Sequence, residues 1–359
     1  MKVLHLALLA ACLMGGACQR SSPAPLFETA TGTQPADPLG VDISAALAKL
    51  LEGTDLPSLS MAVIANGELV ASGATGIRKV GSPDPVTRGD KYHIGSCTKS
   101  MTASLAAMLV ESGQISWSTT IGDAFDSMEM SAGFRDVRLD ELLANRGGVP
   151  GDIDPVLWAK LWAFEGTPPE ARLELVQATI TGEPVHEPGT TFEYSNTGFS
   201  IAGAMLERAA GMPYEQLLAQ RLFEPLGMTS AGFRAPATPG LVDQPFGHSG
   251  PAGQLIPVAP EPSGDNPTAI APAGAVHCSA VDLARYTRFH LGQGPELISK
   301  QSLALLHEPE TTADYAMGWS VLPRPWGAGD VLQHNGSNTM FYAVMWVAPE
   351  RDFAAAFVK

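Results

Sequence analysis

The stretch Tyr92-His93-Ile94-Gly95-Ser96-Cys97-Thr98-Lys99 is followed by a run, Ser100 to Glu111, that is rich in Ala, Leu and Met. This pattern predicts an extended segment that leads into a buried helix over 96–111. Residues three apart on a helix share one face, so the Lys99 amine is expected to point at the Ser96 hydroxyl. An adjacent base activates a serine, and burial turns a lysine into such a base. The stretch therefore predicts Ser96 as a nucleophile and Lys99 as its base or proton relay.

A second motif supplies a partner that Ser-Lys chemistry needs. Tyr194-Ser195-Asn196 is the only Tyr-x-Asn sequence in the chain, as Ser96 is the only serine with a lysine three residues later. Tyr194 is expected to shuttle protons. At neutral pH that role needs a lowered pKa, which the Lys99 ammonium would supply. Asn196 is expected to hold Lys99 and a substrate carbonyl.

A third motif, His334-Asn335-Gly336, stands between two apolar, strand-like runs near the end of the chain. Gly336 would let a substrate backbone approach the strand closely. His334 is mostly neutral at pH 7 unless its surroundings perturb it. Each of the three motifs is weak alone. Their ordered combination favours catalysis over a plain helix cap, a surface lysine and a core tyrosine.

At these motifs the chain resembles the serine β-lactamase and penicillin-binding-protein superfamily, in its class C β-lactamase-like branch. That branch includes β-lactamases, D-amino-acid peptidases and carboxylesterases. The resemblance runs from about Val41 to the end of the chain. Further segments that carry it are Glu187-Pro188-Gly189-Thr190, Phe223-Glu224-Pro225-Leu226-Gly227-Met228, Pro272-Ala273-Gly274 and Met317-Gly318-Trp319.

The resemblance implies additional roles for the third motif. By family position, the N–H groups of Ser96 and Ser337 would form the oxyanion hole. Many members carry Lys-Thr-Gly where this chain has His334-Asn335-Gly336, and the lysine attracts a substrate carboxylate. His334 in that place favours ester or D-amino-acid amide substrates over β-lactams.

The predicted fold class is α/β (α+β), with an antiparallel sheet built from both chain ends and flanked by helices. Strand-like runs at 58–65 and 68–73 surround Asn66-Gly67, a strong hairpin signal. Four more such runs lie at 317–322, 331–333, 341–347 and 353–358. Between the two groups the pattern is mainly helical, which predicts an inserted helical lobe. One domain is expected at 41–359, with an α/β lobe of 41–114 and 261–359 and a helical lobe of 115–260.

The first residues predict export. Residues 1–17 have the basic start, short apolar run and small residues of a signal peptide. Cys18 lies in a box that resembles a lipoprotein cleavage site, so a lipid anchor at Cys18 and a periplasmic location are expected. Cleavage after Ala17 with free release is the alternative. Residues 18–40 are rich in Pro, Ser, Thr and Ala and predict a flexible tether.

The formal net charge of −15 argues against nucleic acid as a partner and against binding to an anionic membrane surface. No cofactor or metal is expected, because dinucleotide, phosphate-loop and zinc motifs are absent from the sequence. The sequence therefore predicts an exported serine hydrolase that cleaves a small ester, amide or peptide through an acyl-enzyme. An esterase or D-amino-acid-type peptidase is favoured. The alternatives are a class C-type β-lactamase and a catalytically silent cell-wall or ligand-binding lipoprotein.

Overall fold

The computed structural model describes residues 38–309 and 313–359. The predicted signal peptide, the lipidation site at Cys18 and nearly all of the predicted tether lie outside these residues. They remain predictions, as do the boundaries of the two lobes.

The main sheet joins strands from the two ends of the chain. These strands are β1 (Val41–Asp42), β2 (Ser58–Ala65), β3 (Glu68–Gly76), β9 (Ser320–Arg324), β10 (Gly329–Ser337), β11 (Tyr342–Ala348) and β12 (Phe353–Val358). Within the described residues its order is β1-β3-β2-β12-β11-β10-β9, and every neighbouring pair except β1 and β3 is antiparallel. Strand β12 pairs with β2, with Phe353 opposite Ala65, and so closes the two ends into one sheet. The predicted antiparallel sheet is thus confirmed.

The hairpin between β2 and β3 follows from its turn residues. Asn66 and Gly67 have φ angles of 49° and 75°, the left-handed region that a two-residue hairpin turn requires. The predicted hairpin is therefore confirmed. In the part of the chain that the structure describes, five shorter strands form two small sheets. They are β4 (Tyr92–His93), β5 (Gly232–Phe233), β6 (Gly247–Ser249), β7 (Ile256–Val258) and β8 (Val276–Cys278).

Both faces of the main sheet are buried at its central strand β12, which is apolar throughout. On β12, Ala354, Ala356 and Val358 face the larger core, whereas Phe353, Ala355 and Phe357 face a smaller one. Successive residues of a strand point to opposite faces, which explains this alternation. The smaller core is closed by Ile43 and Leu47, which bracket the start of the first helix.

The helix predicted at 96–111 is present with a later start, and the described residues between the two groups of strands are mainly helical, as predicted. Among the described residues six helices were not predicted, and the two longest of them lie at 155–162 and 300–307. The first begins where Asp154 accepts the N–H groups of Val156 and Leu157 and Pro155 occupies the first turn. In chain order the helices are α1 (Ser44–Leu51), α2 (Thr98–Glu111), α3 (Ile121–Ala124), α4 (Ala132–Arg135), α5 (Leu139–Leu143), α6 (Pro155–Trp162), α7 (Pro168–Ile180), α8 (Asn196–Ala210), α9 (Tyr214–Leu218), α10 (Glu224–Leu226), α11 (Ala271–Gly274), α12 (Ala280–His290) and α13 (Lys300–His307).

A buried ionic cluster ties three of these helices together. Arg172 of α7 is fully buried and donates to both carboxylate oxygens of Glu207 on α8, at 3.0 and 2.7 Å. It also donates to Glu215 on α9 at 3.1 Å. A buried guanidinium that lost these partners would be strongly destabilising, so the cluster fixes how the helices pack around α8.

Candidate active site

Ser96 lies in a short 3₁₀ turn, Gly95–Cys97, that leads directly into α2. The α-helix itself begins at Thr98, two residues later than the sequence pattern predicted. Thr98 donates its hydroxyl to the Gly95 carbonyl at 2.7 Å and so fixes the peptide that precedes Ser96. Ser96 is partly exposed while Lys99 is fully buried, which leaves the hydroxyl accessible above a buried amine.

The turn that carries Ser96 contacts strand β10 backbone to backbone. Gly95 has a φ of +50°, and a Cβ there would stand 2.3 Å from the Ser337 nitrogen. A Cβ on Gly336 would stand 2.5 Å from the Ser96 nitrogen. Only glycine permits such an approach at either position. The third motif is thereby brought against the first, and the amides of Ser96 and Ser337 lie on adjoining segments.

Lys99 is held by three oxygen atoms. Its Nζ lies 3.3 Å from Ser96 Oγ, 2.6 Å from Asn196 Oδ1 and 2.9 Å from the Ala273 carbonyl oxygen. Burial lowers the pKa of Lys99 to about 7, although the neighbouring Cys97 acts in the opposite direction. Desolvation disfavours the ammonium more than the neutral amine. A large fraction of Lys99 is therefore a neutral base at pH 7.

Tyr194 lies against both residues. Its hydroxyl lies near Ser96, which acts to lower the pKa of Tyr194, and Lys99 Nζ stands 4.7 Å from the centre of its ring. Desolvation by the surrounding groups raises the pKa of Tyr194 to about 12, although 37% of the residue is exposed to solvent. The expectation that Lys99 lowers this pKa is wrong. The amine faces the ring rather than the hydroxyl and carries only part of a charge, so desolvation prevails and Tyr194 is protonated.

Asn145, which the sequence analysis missed, holds the segment around Tyr194. Its backbone oxygen accepts the N–H of Glu193 at 2.8 Å, and its Oδ1 accepts that of Ser195 at 3.0 Å. Both neighbours of Tyr194 are therefore fixed by one residue. Asn145 is buried and has a φ of +57°, a conformation that asparagine tolerates better than most residues. Nothing in the sequence marks it apart from its place before Gly147-Gly148.

His334 is buried beside this group and is neutral. Its Nδ1 lies 2.7 Å from the Asn335 carbonyl oxygen, which can only accept, so Nδ1 carries the proton. Nε2 then accepts from the hydroxyl of Tyr315 at 3.2 Å. Burial, reinforced by Lys99, lowers the pKa of His334 to about 3. The third motif thus presents no positive charge at pH 7.

The cysteines, the possible metal ligands and the lengths of the helices bear on functions other than hydrolysis. Cys97 and Cys278 are both buried and carry free thiols. In the described part of the chain, no cluster of three or more His, Cys, Asp or Glu side chains is arranged to hold a metal ion. No helix in the same residues is long and apolar enough to cross a bilayer.

Comparison with known proteins gives consistent matches. A family model described as Beta-lactamase matches residues 43–358. The chain is 26% identical over 320 residues to penicillin-binding protein 4 of Amycolatopsis lactamdurans, covering 84% of this chain and 80% of that protein.

Two solved structures are similar in fold. An octameric penicillin-binding protein homologue from Pyrococcus abyssi has a TM-score of 0.73 at 23% identity, with 88% of this chain and 72% of that chain covered. A D-stereospecific amidohydrolase from Streptomyces has a TM-score of 0.67 at 21% identity, with 88% and 91% covered. At these identities the likeness shows the arrangement of the chain and nothing finer.

Proposed function

Because this chain belongs to the Beta-lactamase family of serine hydrolases, we propose that Ser96 attacks an ester or amide carbonyl and forms an acyl-enzyme. One observation carries the proposal. The buried Lys99 Nζ, with its pKa lowered to about 7, lies 3.3 Å from the hydroxyl of a partly exposed serine. A surface lysine would be protonated at pH 7 and could not remove the serine proton.

Lys99 is the first base in this proposal. A neutral amine can donate two hydrogens and accept one. Its two hydrogens go to Asn196 Oδ1 and the Ala273 carbonyl, so its lone pair is left for the Ser96 proton. As Ser96 Oγ bonds to the substrate carbonyl carbon, that proton moves to Lys99, and the negative charge moves to the carbonyl oxygen. The amides of Ser96 and Ser337 are proposed to stabilise this oxyanion.

Tyr194 is the proposed acid. With its pKa raised to about 12 it keeps its proton at neutral pH, and its hydroxyl borders Ser96. It donates that proton to the leaving oxygen or nitrogen as the scissile bond breaks, and Lys99 restores the lost proton. A water molecule then attacks the acyl-enzyme ester and gives up a proton to the same pair. The bond between the acyl carbon and Ser96 Oγ breaks, the pair returns the proton to Ser96 Oγ, and the carboxylic acid leaves.

The neutral His334 favours an esterase or a D-amino-acid-type peptidase over a β-lactamase. The family lysine at this position would attract the carboxylate of a β-lactam, and a histidine whose pKa is about 3 supplies no such charge. Tyr315 also disfavours protonation of His334, because its hydroxyl donates to Nε2, the nitrogen that would take up the second proton. The preferred substrate is therefore one without a carboxylate next to the scissile bond.

The test is covalent labelling followed by intact mass measurement. A fluorophosphonate should add one label to the wild type and none to Ser96→Ala. Ser100→Ala is the matched control, since Ser100 lies one turn further along α2 and donates to the Cys97 carbonyl. Labelling of Ser96→Ala at the wild-type rate would overturn the assignment of the nucleophile. An unlabelled wild type would instead favour the silent ligand-binding alternative.

Turnover of three probes separates the substrate classes. p-Nitrophenyl esters and D-alanyl p-nitroanilide are expected to turn over at least tenfold faster than nitrocefin. His334→Lys should narrow that gap by raising the nitrocefin rate. Nitrocefin turnover by the wild type at the ester rate would favour the β-lactamase alternative.

Export with a lipid anchor at Cys18 is a further part of the proposal, and it is supported by the sequence of residues 1–18. Incorporation of labelled palmitate into the full chain, and its loss in Cys18→Ser, would test it. A released, unlabelled protein that begins at Cys18 would support the alternative cleavage after Ala17.

A further inference from the structure

His93 contacts the backbone of the nucleophile turn. It lies on β4, is fully buried, and its Nδ1 accepts the N–H of Gly95 at 3.1 Å. Its other nitrogen, Nε2, lies 2.8 Å from Asp265 Oδ1. The next residue after Gly95 is the nucleophile, so this imidazole is only one residue removed from the reacting group. Neither His93 nor Asp265 has a part in the mechanism given above.

Asp265 determines which nitrogen of His93 carries the proton. A carboxylate can only accept, so it holds the proton on Nε2 and leaves the lone pair on Nδ1. That lone pair is what the Gly95 N–H needs. With the proton on Nδ1, two donors would face each other at 3.1 Å and the bond to Gly95 would be lost.

The Gly95 peptides need external support because glycine restricts its own dihedral angles least. His93 holds the peptide before Gly95, and the Thr98 hydroxyl holds the peptide after it. Between them they fix the direction of the Ser96 N–H. This direction matters because an oxyanion donor is effective only within a narrow range of positions.

The same loop also supports the amine. Asn266, next to Asp265, donates its Nδ2 to the Gly274 carbonyl at 2.6 Å. Gly274 follows Ala273, whose carbonyl accepts from Lys99 Nζ at 2.9 Å. The segment 265–266 thus supports the Ser96 amide through His93, and it supports the Lys99 amine through the backbone at 273–274.

We propose that His93 and Asp265 are positioning residues for the oxyanion hole, with Asp265 fixing the tautomer through which His93 orients the Gly95–Ser96 backbone. The proposal rests on the proposed nucleophilic role of Ser96. It predicts that damage to the pair slows acylation without weakening ground-state substrate binding, because the N–H of Ser96 is needed most when the oxyanion forms.

Two variants of His93 separate this role from simple packing. His93→Asn keeps an acceptor at the place of Nδ1, whereas His93→Leu removes it. We expect His93→Leu to lower kcat by about 10- to 100-fold with KM changed less than threefold, as small displacements of reacting groups do. His93→Asn should recover most of the loss. If the two variants have the same kcat, the bond to Gly95 has no catalytic role.

Asp265→Asn tests the tautomer on a partly exposed side chain, where the protein is expected to fold normally. Its amide can donate as well as accept, so part of His93 would move its proton to Nδ1. We expect kcat to fall about 10-fold, and the double variant with His93→Leu to be no slower than His93→Leu alone. A full additive loss would contradict a shared role.

His277→Gln is the matched control. His277 lies opposite His93 across β4 and β8 and is also buried, but it bonds to the Arg234 carbonyl rather than to Gly95. The His277→Gln variant should lower the melting temperature at least as much as His93→Leu does, and its kcat should stay within threefold of the wild-type value. A loss of kcat equal to that of His93→Leu would mean that disturbance of these strands explains both.

A boronic acid that forms a tetrahedral adduct provides a second readout. Its Ki should rise in His93→Leu by the same factor as kcat falls, while Ki for a non-covalent substrate analogue stays constant. If the wild type is not acylated by any probe, the proposed function itself fails. If it is acylated and His93→Leu is unchanged in both kcat and Ki, only the present inference fails.

Discussion

Replacing Lys99 with methionine is expected to remove acylation and also one component of the pH dependence of stability. The two side chains are similar in size, and Lys99 is fully buried. Burial lowers its pKa from the usual 10.5 to about 7. At pH 7 about half of Lys99 is therefore neutral, against about 1 in 3,000 of an unperturbed lysine. This increase in the neutral amine is what the proposed mechanism uses.

The same shift gives the sign and size of the stability effect. Between pH 7 and 10.5 the unfolded lysine holds a proton that the folded one has lost, so stability rises with pH across that window. Each pH unit over which the two states differ by one proton changes the free energy of unfolding by about 1.4 kcal/mol. The destabilising contribution of buried Lys99 to the free energy of unfolding therefore decreases by about 2 kcal/mol between pH 7 and pH 9. Lys99→Met lacks it. Loss of the donor to Asn196 and Ala273 also destabilises the variant, but equally at both pH values.

Urea unfolding of wild type and Lys99→Met at pH 7 and pH 9 measures this difference, with the exposed Lys300→Met as control. The free-energy gap between wild type and Lys99→Met should change by about 2 kcal/mol between the two pH values. For Lys300→Met it should stay constant. In parallel, kcat/KM of the wild type should rise about tenfold per pH unit below 7 and level off above it. A flat profile from pH 5 to 8, or an unchanging gap, would refute the reasoning.

Three other predictions concern the acid, the buried ionic cluster and a histidine pair. Tyr194→Phe should lower kcat by about 10²- to 10⁴-fold in ester turnover, and a loss below threefold would exclude Tyr194 as the acid. Arg172→Met should lower the free energy of unfolding by about 3–5 kcal/mol in urea, because Glu207 and Glu215 lose their buried partner; a loss under 1 kcal/mol would contradict that role. Burial lowers the pKa of His307 to about 4, and it also lowers the pKa of His290, which lies 2.8 Å from His307. Both should reduce stability as pH falls from 6.5 to 4, because the unfolded state takes up the protons first, and His307 should account for about 3 kcal/mol of the loss. In urea unfolding at the two pH values, His307→Gln should lose about 3 kcal/mol less than the wild type, and an identical loss would exclude His307 as a source.

Features encoded by short-range patterns could be predicted from the sequence. The hairpin at Asn66-Gly67 is an example, because the left-handed turn depends on those two residues alone. The helix after Ser96 is another, since its apolar composition and the i, i+3 spacing to Lys99 are local properties. Its start was misplaced because the 3₁₀ turn depends on the contact of Gly95 with β10, which lies far along the chain.

Residues that act through distant partners could not be predicted in the same way. His93 and Asp265 are separated by 172 positions and are joined only because β4 and the loop at 265 pack together. No motif or spacing in the sequence likewise predicts the contacts that Asn145 and Tyr315 make in the site. The direction of the pKa shift of Tyr194 was predicted wrongly. The motifs predict that Tyr194 and Lys99 lie close together, but they do not predict that the Lys99 amine lies over the Tyr194 ring.

By itself the sequence determined the chemical groups and their order: a serine with a lysine one helical turn away, a tyrosine, and a glycine-bearing strand. Tertiary structure alone decided their protonation states and which backbone amides lie beside the nucleophile. The physical reason is that hydrogen-bonded turns and side-chain periodicity depend on neighbours in the chain. Desolvation depends on every group that excludes water, and around Lys99 those groups come from segments about a hundred or more residues away.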